Sequence, residues 1–417
     1  MEEDSGGAIK ISRGVYWVGA IDSNGREFQG VTAEGTTYNS YLVIGEKTAL
    51  IDTVKTSFSE EMLERISQII EPSKLDYIIT NHMELDHAGS LAKLKEQTNA
   101  KVYITRRGKD ILADYFRDYG YENWDFEIVR TGDQLDLGNK TLTFLEAPML
   151  HWPDSMETFL EEDKILFSND GFGQYIATLQ RYDFEIEDAI SAAAEYYANI
   201  MMPYGSAVLR YLNLLYELGI APSQIAPSHG IIWKRDIKKI LEAYRAWAEG
   251  EAKQKVLVIY DTMWDSTKLM AKEIANGVQA SGVEVKLLNL RKNNRNIIMK
   301  EILDAASFAI GSPTLNSGIF PTVADFLTYL KGLRPKNKKA IAFGSYGWGG
   351  GAVKIIEQEL KNSGIEIIEP GLQVRFRPDE EELEKCRQLG KQLASVAKKE
   401  YLTDLFNSSS GQIPNTI

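Results

Sequence analysis

The chain has very little cysteine, with Cys386 as the single copy in 417 residues. One cysteine can form no internal disulfide, and it cannot supply the four thiolates of a rubredoxin-type or iron–sulfur centre. The neighbours of Cys386 are mostly charged and form no motif, so we expect a structural role for it. A chain without disulfides is typical of the reducing cytoplasm, which we predict as its compartment.

Basic residues and long apolar runs are also scarce. Lys and Arg number 47 against 59 Asp and Glu, which gives a formal net charge of −12. Because binding to phosphate groups requires a basic face, this charge disfavours a nucleic acid or an anionic membrane as partner. The sequence has no run of eighteen apolar residues, and its first residues lack the basic-then-apolar pattern of a secretion signal. We therefore expect neither a membrane span nor a signal peptide.

Histidine is rare as well, and its four copies all follow apolar stretches that predict strands. His82 and His87 lie in the run NHMELDHAGS, His151 follows residues 141–148, and His229 follows residues 224–228. A single histidine near a strand end is more often structural than functional. Four of four in such positions favour metal ligation.

The length of the chain predicts two or three domains, because 417 residues exceed one ordinary core. Residues 1–250 mix short strands with helices and carry all four histidines, which predicts a sheet-based α/β domain with its site at one sheet edge. Residues 401–417 are polar and predict a flexible tail. The strands predicted in the first domain are 14–20, 37–44, 48–52, 75–80, 101–105, 141–147 and 164–168.

Residues 251–400 have the pattern of a doubly wound parallel sheet, in which five strands are separated by helices. Ligands of such sheets bind beyond the carboxyl ends of the strands. The predicted strands are 256–260, 283–290, 307–311, 339–344 and 364–368. The predicted helices are 266–280, 321–332, 352–363 and 380–399.

The cluster at residues 82–87 has the spacing H-x-E-x-D-H. In an extended segment side chains alternate, so His82, Glu84 and Asp86 are expected to point to the same side. In this interpretation one metal ion takes His82 and Glu84, and a second takes Asp86 and His87.

A bridging carboxylate and two further nitrogens complete the predicted site. Asp170, at the end of the strand 164–168, is the candidate bridge, and His151 and His229 add one nitrogen each. Four nitrogens and three carboxylates without sulfur favour non-haem iron, while manganese and zinc also accept these ligand types. The candidate metal ligands are His82, Glu84, Asp86, His87, His151, Asp170 and His229.

A candidate phosphate loop lies between the strand 256–260 and the helix that starts at Ser266. Hydroxyl groups and free backbone N–H groups at a helix N-terminus form a site for a single phosphate. The loop lacks G-x-G-x-x-G and G-x-x-x-x-G-K, which disfavours a dinucleotide and a nucleoside triphosphate. A plain helix cap is the alternative interpretation.

Two later loops rich in glycine and small polar residues follow the neighbouring strands. Tyr346 or Trp348 can stack on a flat heteroaromatic ring, and the glycines let backbone amides reach the edge of that ring. Three such loops at adjacent strand ends predict bound flavin mononucleotide (FMN). The candidate FMN-binding residues are Thr262, Met263, Trp264, Asp265, Ser266, Thr267, Pro313, Thr314, Leu315, Asn316, Ser345, Tyr346, Gly347, Trp348, Gly349 and Gly350.

From about residue 9 to about residue 399 the chain resembles the flavodiiron proteins, also called A-type flavoproteins. The resemblance rests on the spacing at 82–87, where related zinc hydrolases carry histidine in place of Glu84, on the loop ending in Ser266 and Thr267, and on SYGWGGG at 345–351. It implies an α/β fold in which a metallo-β-lactamase-like αββα sandwich precedes a flavodoxin-like sheet of five parallel strands. It also implies a di-iron centre and FMN as cofactors.

By this resemblance, His82, Glu84 and His151 bind the first iron, while Asp86, His87 and His229 bind the second, with Asp170 as the bridge. Some family members do not use the histidine that matches His87.

The family reduces O2 to water, NO to N2O, or both, and electrons pass from an external donor through FMN to the irons. The implied assembly is a head-to-tail homodimer or a tetramer, in which FMN of one subunit serves the irons of another. The donor is a separate protein such as a rubredoxin, or a diffusible reduced flavin or deazaflavin. Tyr197, Tyr204 and Trp152 are candidates for lining the pocket, with core packing as the favoured role.

Two other functions remain open from the sequence. One is a zinc-dependent hydrolase of thioesters or phosphoesters joined to a flavodoxin module. The other is an electron carrier in which only the flavin is active and the metal site is structural. The ligands alone do not choose between O2 and NO.

Overall fold

The structure, a computed structural model, describes residues 6–24 and 35–410, with side chains up to residue 399. It divides into two compact units. The first contains the described residues up to Tyr196 together with Ser206–Arg245. The second contains Tyr197–Gly205 and the described residues from Ala246 onward. The segment Tyr197–Gly205, which we expected in the first domain, therefore groups with the second unit.

The first unit is built on strands that are short and mostly buried. These strands are β1 (Ile9–Ser12), β2 (Val15–Trp17), β3 (Ala20–Asp22), β4 (Thr36–Tyr38), β5 (Tyr41–Ile44), β6 (Thr48–Ile51), β7 (Tyr77–Thr80), β8 (Lys101–Ile104), β9 (Phe126–Ile128), β10 (Gln134–Asp136), β11 (Thr141–Glu146), β12 (Met156–Leu160), β13 (Ile165–Asn169) and β14 (Gln224–Pro227).

Helices of this part of the chain connect the strands. They are α1 (Ser59–Ser67), α2 (Leu85–Ala88), α3 (Leu91–Gln97), α4 (Arg106–Tyr115), α5 (Ala189–Tyr196), α6 (Gly205–Glu217) and α7 (Ile237–Glu249). Helix α4 begins with a recognisable signal, since the hydroxyl of its N-cap Thr105 accepts the backbone N–H of Gly108.

Two sheets form the centre of the first unit, with strand orders β1-β2-β5-β6-β7-β8-β9 and β10-β11-β12-β13-β14. Apolar residues of both sheets share one buried core, including Ile51, Phe144 and Phe167. A second core lies between the larger sheet and α1, α3 and α4. The predicted αββα sandwich is confirmed.

Two predicted strands are interrupted. Residues 14–20 divide between β2 and β3, and residues 37–44 divide between β4 and β5. Between β4 and β5 the buried side chain of Asn39 accepts a hydrogen bond from Nε1 of Trp17 at 2.7 Å and donates one to the Pro227 carbonyl at 2.7 Å. These hydrogen bonds satisfy the buried amide of Asn39, which a continuous strand would leave without partners in the interior. The prediction of one strand here is wrong, because tertiary hydrogen bonds override the local pattern.

The second unit is a parallel sheet flanked by helices, as predicted. Its strands are β15 (Lys253–Tyr260), β16 (Glu284–Asn289), β17 (Ala305–Gly311), β18 (Lys339–Tyr346), β19 (Glu366–Ile367) and β20 (Leu372–Arg375). Its helices are α8 (Ser266–Ala280), α9 (Arg295–Asp304), α10 (Pro321–Leu333), α11 (Ala352–Asn362) and α12 (Glu380–Ser410). The strand order is β16-β15-β17-β18-β19, and β20 also pairs with β18. Of the predicted fifth strand, residues 364–368, only Glu366–Ile367 (β19) forms, and β20 is a further short segment that the sequence did not predict.

The C-terminal helix is longer than predicted. Because α12 runs to Ser410, the first ten residues of the predicted tail are helical, and residues 411–417 lie outside the described residues. Cys386 on this helix is buried, and burial raises the pKa of its thiol to about 12. A thiol with such a pKa is protonated at neutral pH and unreactive, which agrees with a structural role.

Within the described part of the chain, none of the helices combines the length and the apolar character that a membrane span requires.

Candidate metal centre and flavin loops

The structure brings the seven predicted metal ligands together at one edge of the two sheets of the first unit. His82 and Glu84 follow β7, while Asp86 and His87 lie on α2. The other three stand after strands of the smaller sheet. His151 follows β11, Asp170 follows β13, and His229 follows β14. These strands run in the same direction, so their carboxyl ends meet at the same edge.

The local geometry of the cluster differs from the sequence prediction. We expected an extended segment through residues 82–86, but Leu85–Ala88 is a helical turn whose N-cap is Glu84. The N–H groups of His87 and Ala88 bond to the Glu84 carbonyl. The turn therefore separates Glu84 from Asp86 in direction, which alternation in a strand would not do.

One group of side-chain atoms forms what we call the first ligand group. It consists of Nε2 of His82, Oε2 of Glu84, Nε2 of His151 and Oδ2 of Asp170. Nε2 of His151 lies 3.2 Å from Glu84 and 3.3 Å from Asp170, and Nε2 of His82 lies 3.5 and 3.6 Å from the same two oxygens.

The second ligand group lies on the other side of Asp170. It consists of Oδ2 of Asp86, Nε2 of His87, Nε2 of His229 and Oδ1 of Asp170. Nε2 of His87 lies 3.0 Å from Asp170 and 3.3 Å from Asp86. Nε2 of His229 lies 3.4 and 3.1 Å from the same two residues. Asp170 thus presents one carboxylate oxygen to each group, as a bridging ligand does.

These distances suit metal ions. Two ligands at right angles or at a tetrahedral angle around an ion with bonds of about 2.1 Å lie about 3.0 to 3.4 Å apart. The eight contacts above span 3.0 to 3.6 Å.

The hydrogen-bond partners of His229 are also compatible with a bound cation. Nδ1 of His229 lies 2.8 Å from the Thr37 carbonyl, which can only accept, so the proton of a neutral ring sits on Nδ1. Its Nε2 lone pair then faces the carboxylate oxygens of Asp86 and Asp170. Two lone pairs in contact repel each other unless a positive charge lies between them. The residues present therefore fit a pair of metal ions.

The pKa values of the site residues also favour bound positive charge. Burial favours neutral His87, but the carboxylates of Asp86 and Asp170 outweigh burial and raise its pKa to about 9. Burial also disfavours the charge of Asp170, yet the surrounding histidines hold the pKa of that carboxyl well below its usual range. The site thus concentrates negative charge that positive charge must balance, which is the condition of a multi-carboxylate metal site.

Three residues that the sequence did not indicate contact the ligands. Both oxygens of Asp154 lie 3.2 Å from Nδ1 of His82, and the Thr37 carbonyl accepts from His229. The hydroxyl of Tyr196 donates to Oδ1 of Asp170 at 3.0 Å. Only Asp154 carried a sequence signal, since it is a carboxylate three residues after His151.

Of the candidate pocket-lining aromatic residues, Trp152 lies beside a ligand, whereas Tyr197 has the core-packing role that the sequence favoured. The Trp152 ring lies edge-on to the His82 ring with centroids 5.0 Å apart. Tyr197 instead packs on Trp247, 5.2 Å between ring centroids, and its neighbour Tyr196 occupies the place beside Asp170. The sequence gives no means to choose between two adjacent tyrosines at the end of a helix.

In the second unit the three predicted flavin loops follow β15, β17 and β18, which are adjacent and parallel. The hydroxyls of Thr267 and Ser345 lie 2.9 Å apart, and the Thr314 N–H donates to the Ser345 carbonyl at 2.8 Å. The Thr262 hydroxyl is buried and has no hydrogen-bond partner in the described part of the chain. A buried hydroxyl beside the N-terminus of α8 fits a phosphate group.

Large aromatic side chains stand exposed beside these loops. Trp264 is 85% exposed and Trp348 is 95% exposed, whereas an indole ring is normally at least partly covered. Both belong to the predicted FMN-binding set. Two uncovered indole rings near a phosphate loop fit the stacking of a flat ring such as a flavin.

Comparison with known proteins agrees with the predicted fold of both parts of the chain. Residues 36–230 match the family described as ODP family beta lactamase, and residues 258–390 match the flavodoxin family. A nitric oxide reductase of Moorella thermoacetica is 48% identical over 394 residues, which cover 93% of this chain and 98% of the relative. A coenzyme F420H2 oxidase of Methanothermobacter marburgensis is 42% identical over 405 residues, covering 94% and 99%.

Solved structures share this fold. The rubredoxin oxygen:oxidoreductase from Desulfovibrio gigas superposes with a TM-score of 0.91 at 40% identity, over 94% of this chain and 99% of that one. The flavodiiron protein from Giardia intestinalis gives a TM-score of 0.90 at 33% identity, over 95% and 98%. The expected fold, a metallo-β-lactamase-like domain followed by a flavodoxin-like one, is confirmed. The chain therefore belongs to the flavodiiron protein family, oxidoreductases that use FMN and a di-iron centre.

Proposed function

We propose that this chain reduces O2, NO or both at two iron ions held by the first and second ligand groups. Its electrons come from an external donor by way of FMN. The observation that carries the proposal is the position of Asp170, whose two oxygens each face one group of two histidines and one further carboxylate. The proposed ligands are His82, Glu84, His151 and Asp170 for one iron, and Asp86, His87, His229 and Asp170 for the other.

When bound, the irons would supply Lewis acidity and redox capacity, and FMN would supply one- and two-electron chemistry. The chain's own residues position this chemistry. Asp154 and the Thr37 carbonyl hold the rings of His82 and His229, so that each Nε2 would be available to an ion. The rings of Trp152 and Tyr175 pack beside these histidines and reduce the access of water.

Reduction of either gas consumes protons, and Tyr196 keeps a proton at the site. Burial, strengthened by the charge of Asp170, raises the pKa of its phenol well above the usual value. The hydroxyl is therefore protonated at neutral pH and donates to Oδ1 of Asp170. It also neutralises part of the charge on the bridging carboxylate.

We assign FMN binding to the three loops of the second unit. Thr262, Ser266 and Thr267 surround the N-terminus of α8 and would hold the phosphate. Trp348 and Tyr346 would lie against the ring. The other members of the proposed set are Met263, Trp264, Asp265, Pro313, Thr314, Leu315, Asn316, Ser345, Gly347, Gly349 and Gly350.

We propose a separate molecule as the electron donor, and the single cysteine among these 417 residues supplies no rubredoxin centre within them. A rubredoxin or a reduced deazaflavin is the proposed donor, and the similarity to a rubredoxin oxygen:oxidoreductase and to a coenzyme F420H2 oxidase supports these classes. We also propose a head-to-tail homodimer, alone or paired into a tetramer, and a cytoplasmic location. The family resemblance supports the dimer, and the lone buried cysteine supports the compartment.

The test is to reduce the iron- and FMN-loaded protein without oxygen and then expose it to O2 or to NO. We expect rapid reoxidation of the flavin by at least one gas, and slow reoxidation in Asp170→Asn. Asp183→Asn is the matched control, because Asp183 is an equally buried carboxylate that caps backbone N–H groups at residues 234–236. Equal reoxidation rates with and without metal would contradict the proposal, and zinc content with hydrolysis in the absence of reductant would favour a hydrolase.

A further inference from the structure

The two ligand groups have matching inner ligands. Each provides two imidazole nitrogens, one carboxylate of its own and one oxygen of Asp170. Two ions of equal charge would therefore meet the same ligand charge in both places. Any difference between the positions has to arise from residues behind the ligands.

Such a difference exists at the outer nitrogens of the histidines. Behind His82 lies Asp154, with both carboxylate oxygens 3.2 Å from Nδ1. Behind His229 lies the neutral carbonyl of Thr37. Nδ1 of His87 is buried and has no hydrogen-bond partner within the described residues. A buried negative charge therefore stands behind the first group, where it contacts His82.

Asp154 is also well fixed. It is 2% exposed, and its Oδ2 accepts the backbone N–H of Met83 at 2.8 Å. Its own carbonyl accepts the hydroxyl of Thr105 at 3.0 Å. The carboxylate therefore anchors both the ring of His82 and the chain that follows it. Since it lies in the loop that carries His151, it joins two ligand-bearing segments of one group.

A carboxylate behind a metal-bound histidine fixes the tautomer and makes the imidazole a stronger donor to the ion. Stronger donation favours the more highly charged state of the metal. We propose that Asp154 is a positioning residue that makes the two iron positions unequal, lowering the reduction potential of the iron at the first ligand group. The inference rests on the proposed function only in taking iron as the metal.

The test compares Asp154→Asn with the native protein, both loaded with iron and FMN. Asn keeps an oxygen for the Met83 N–H but removes the charge. We expect roughly 10- to 100-fold weaker iron binding at one position. At iron concentrations that still fill both positions, we expect one of the two iron potentials to rise. The readouts are iron titration of the metal-free protein and a redox titration followed by Mössbauer spectroscopy.

A second variant and a control separate charge from structure. Asp154→Glu keeps the charge and should return the potential toward the native value, while Asp183→Asn should leave both potentials unchanged. Unchanged potentials in fully loaded Asp154→Asn would overturn the proposal. Where Asp154→Asn also holds less iron, the number of ions lost is informative. Loss of one ion, with bound FMN and helix content unchanged, would support the proposed positioning role. Loss of both ions together with the folded structure would overturn the proposal. A native protein that binds no iron would instead refute the proposed function.

Discussion

Nε2 of His87 lies 3.0 Å from Oδ1 of Asp170, so His87 belongs to the second ligand group rather than to the surrounding core. Its counterpart in the first group is His151, with Nε2 3.3 Å from Oδ2 of Asp170. These two histidines allow a matched comparison, since each serves one position and both contact the same bridge.

We expect His87→Asn and His151→Asn each to lower the iron content from two ions to one per chain. The loss of affinity should be at least the roughly 10- to 100-fold that follows removal of an outer partner. Iron analysis with Mössbauer spectroscopy should show a different remaining ion in the two variants. If His87→Asn retains both ions with a native spectrum, His87 is not a ligand.

Thr267→Val should weaken FMN binding. Its hydroxyl lies in the first turn of α8 beside Ser345, and the hydrogen bond that it would give to a charged phosphate is worth about 1.5 to 3 kcal/mol. FMN affinity should fall by about 10-fold or more, measured by quenching of flavin fluorescence in titrations of the flavin-free protein. Thr328→Val is the control, because the Thr328 hydroxyl bonds to the Ala324 carbonyl on α10. An equal loss in both variants would argue against a phosphate contact.

Glu157→Gln should change the pH dependence of stability. Burial on β12 raises the pKa of Glu157 well above its ordinary value, against a smaller opposite effect of the hydroxyl of Tyr211 at 2.6 Å. Between the unfolded pKa of about 4.3 and the folded pKa, the folded state holds one proton more. The contribution of protonated Glu157 to the free energy of unfolding is therefore complete below about pH 4.3. It declines by about 1.4 kcal/mol per pH unit between that pH and the folded pKa.

The measurement is the free energy of unfolding of native protein and Glu157→Gln from pH 5 to pH 8. The advantage of the variant over the native protein should grow with pH, because Gln has no proton to lose. Parallel curves would mean that Glu157 titrates normally in the folded protein.

Mixed dimers should reveal whether electrons pass between subunits. One chain would carry Asp170→Asn, and the other Ser266→Ala with Thr267→Val. In a head-to-tail dimer, FMN of the first chain can serve the irons of the second, so mixed dimers should regain activity at one of their two centres. Activity that stays at the level of the separate variants would indicate transfer within one chain.

Much of the second unit could be predicted because its information is local. The central strands β15, β17 and β18 each contain a short apolar run, and the loop that follows each of them carries small polar residues. The carboxyl ends of parallel strands meet at one edge, so sequence position translates directly into spatial position. The short strands β19 and β20 are exceptions, because only pairing with β18 defines those segments.

The residues that group at the candidate metal centre could be predicted, but the residues around them could not. Four histidines at strand ends and carboxylates at short spacing were visible in the sequence. The direction of Glu84 and Asp86 depends on the helical turn at Leu85–Ala88, which a four-residue pattern cannot specify. Asp154 reaches His82 across 72 residues of sequence, and Thr37 reaches His229 across 192, so only the fold brings these pairs together.

The segment Tyr197–Gly205 sets a limit on how the molecule can be dissected. Nδ2 of Asn199 donates to the Asn296 carbonyl, and the hydroxyl of Tyr329 donates to Oδ1 of Asn199. A fragment started at Ala246 would leave α9 and α10 without this covering, although it contains every flavin loop. A stable, separately produced second unit should therefore include residues 197–205, joined to the chain that begins at Ala246.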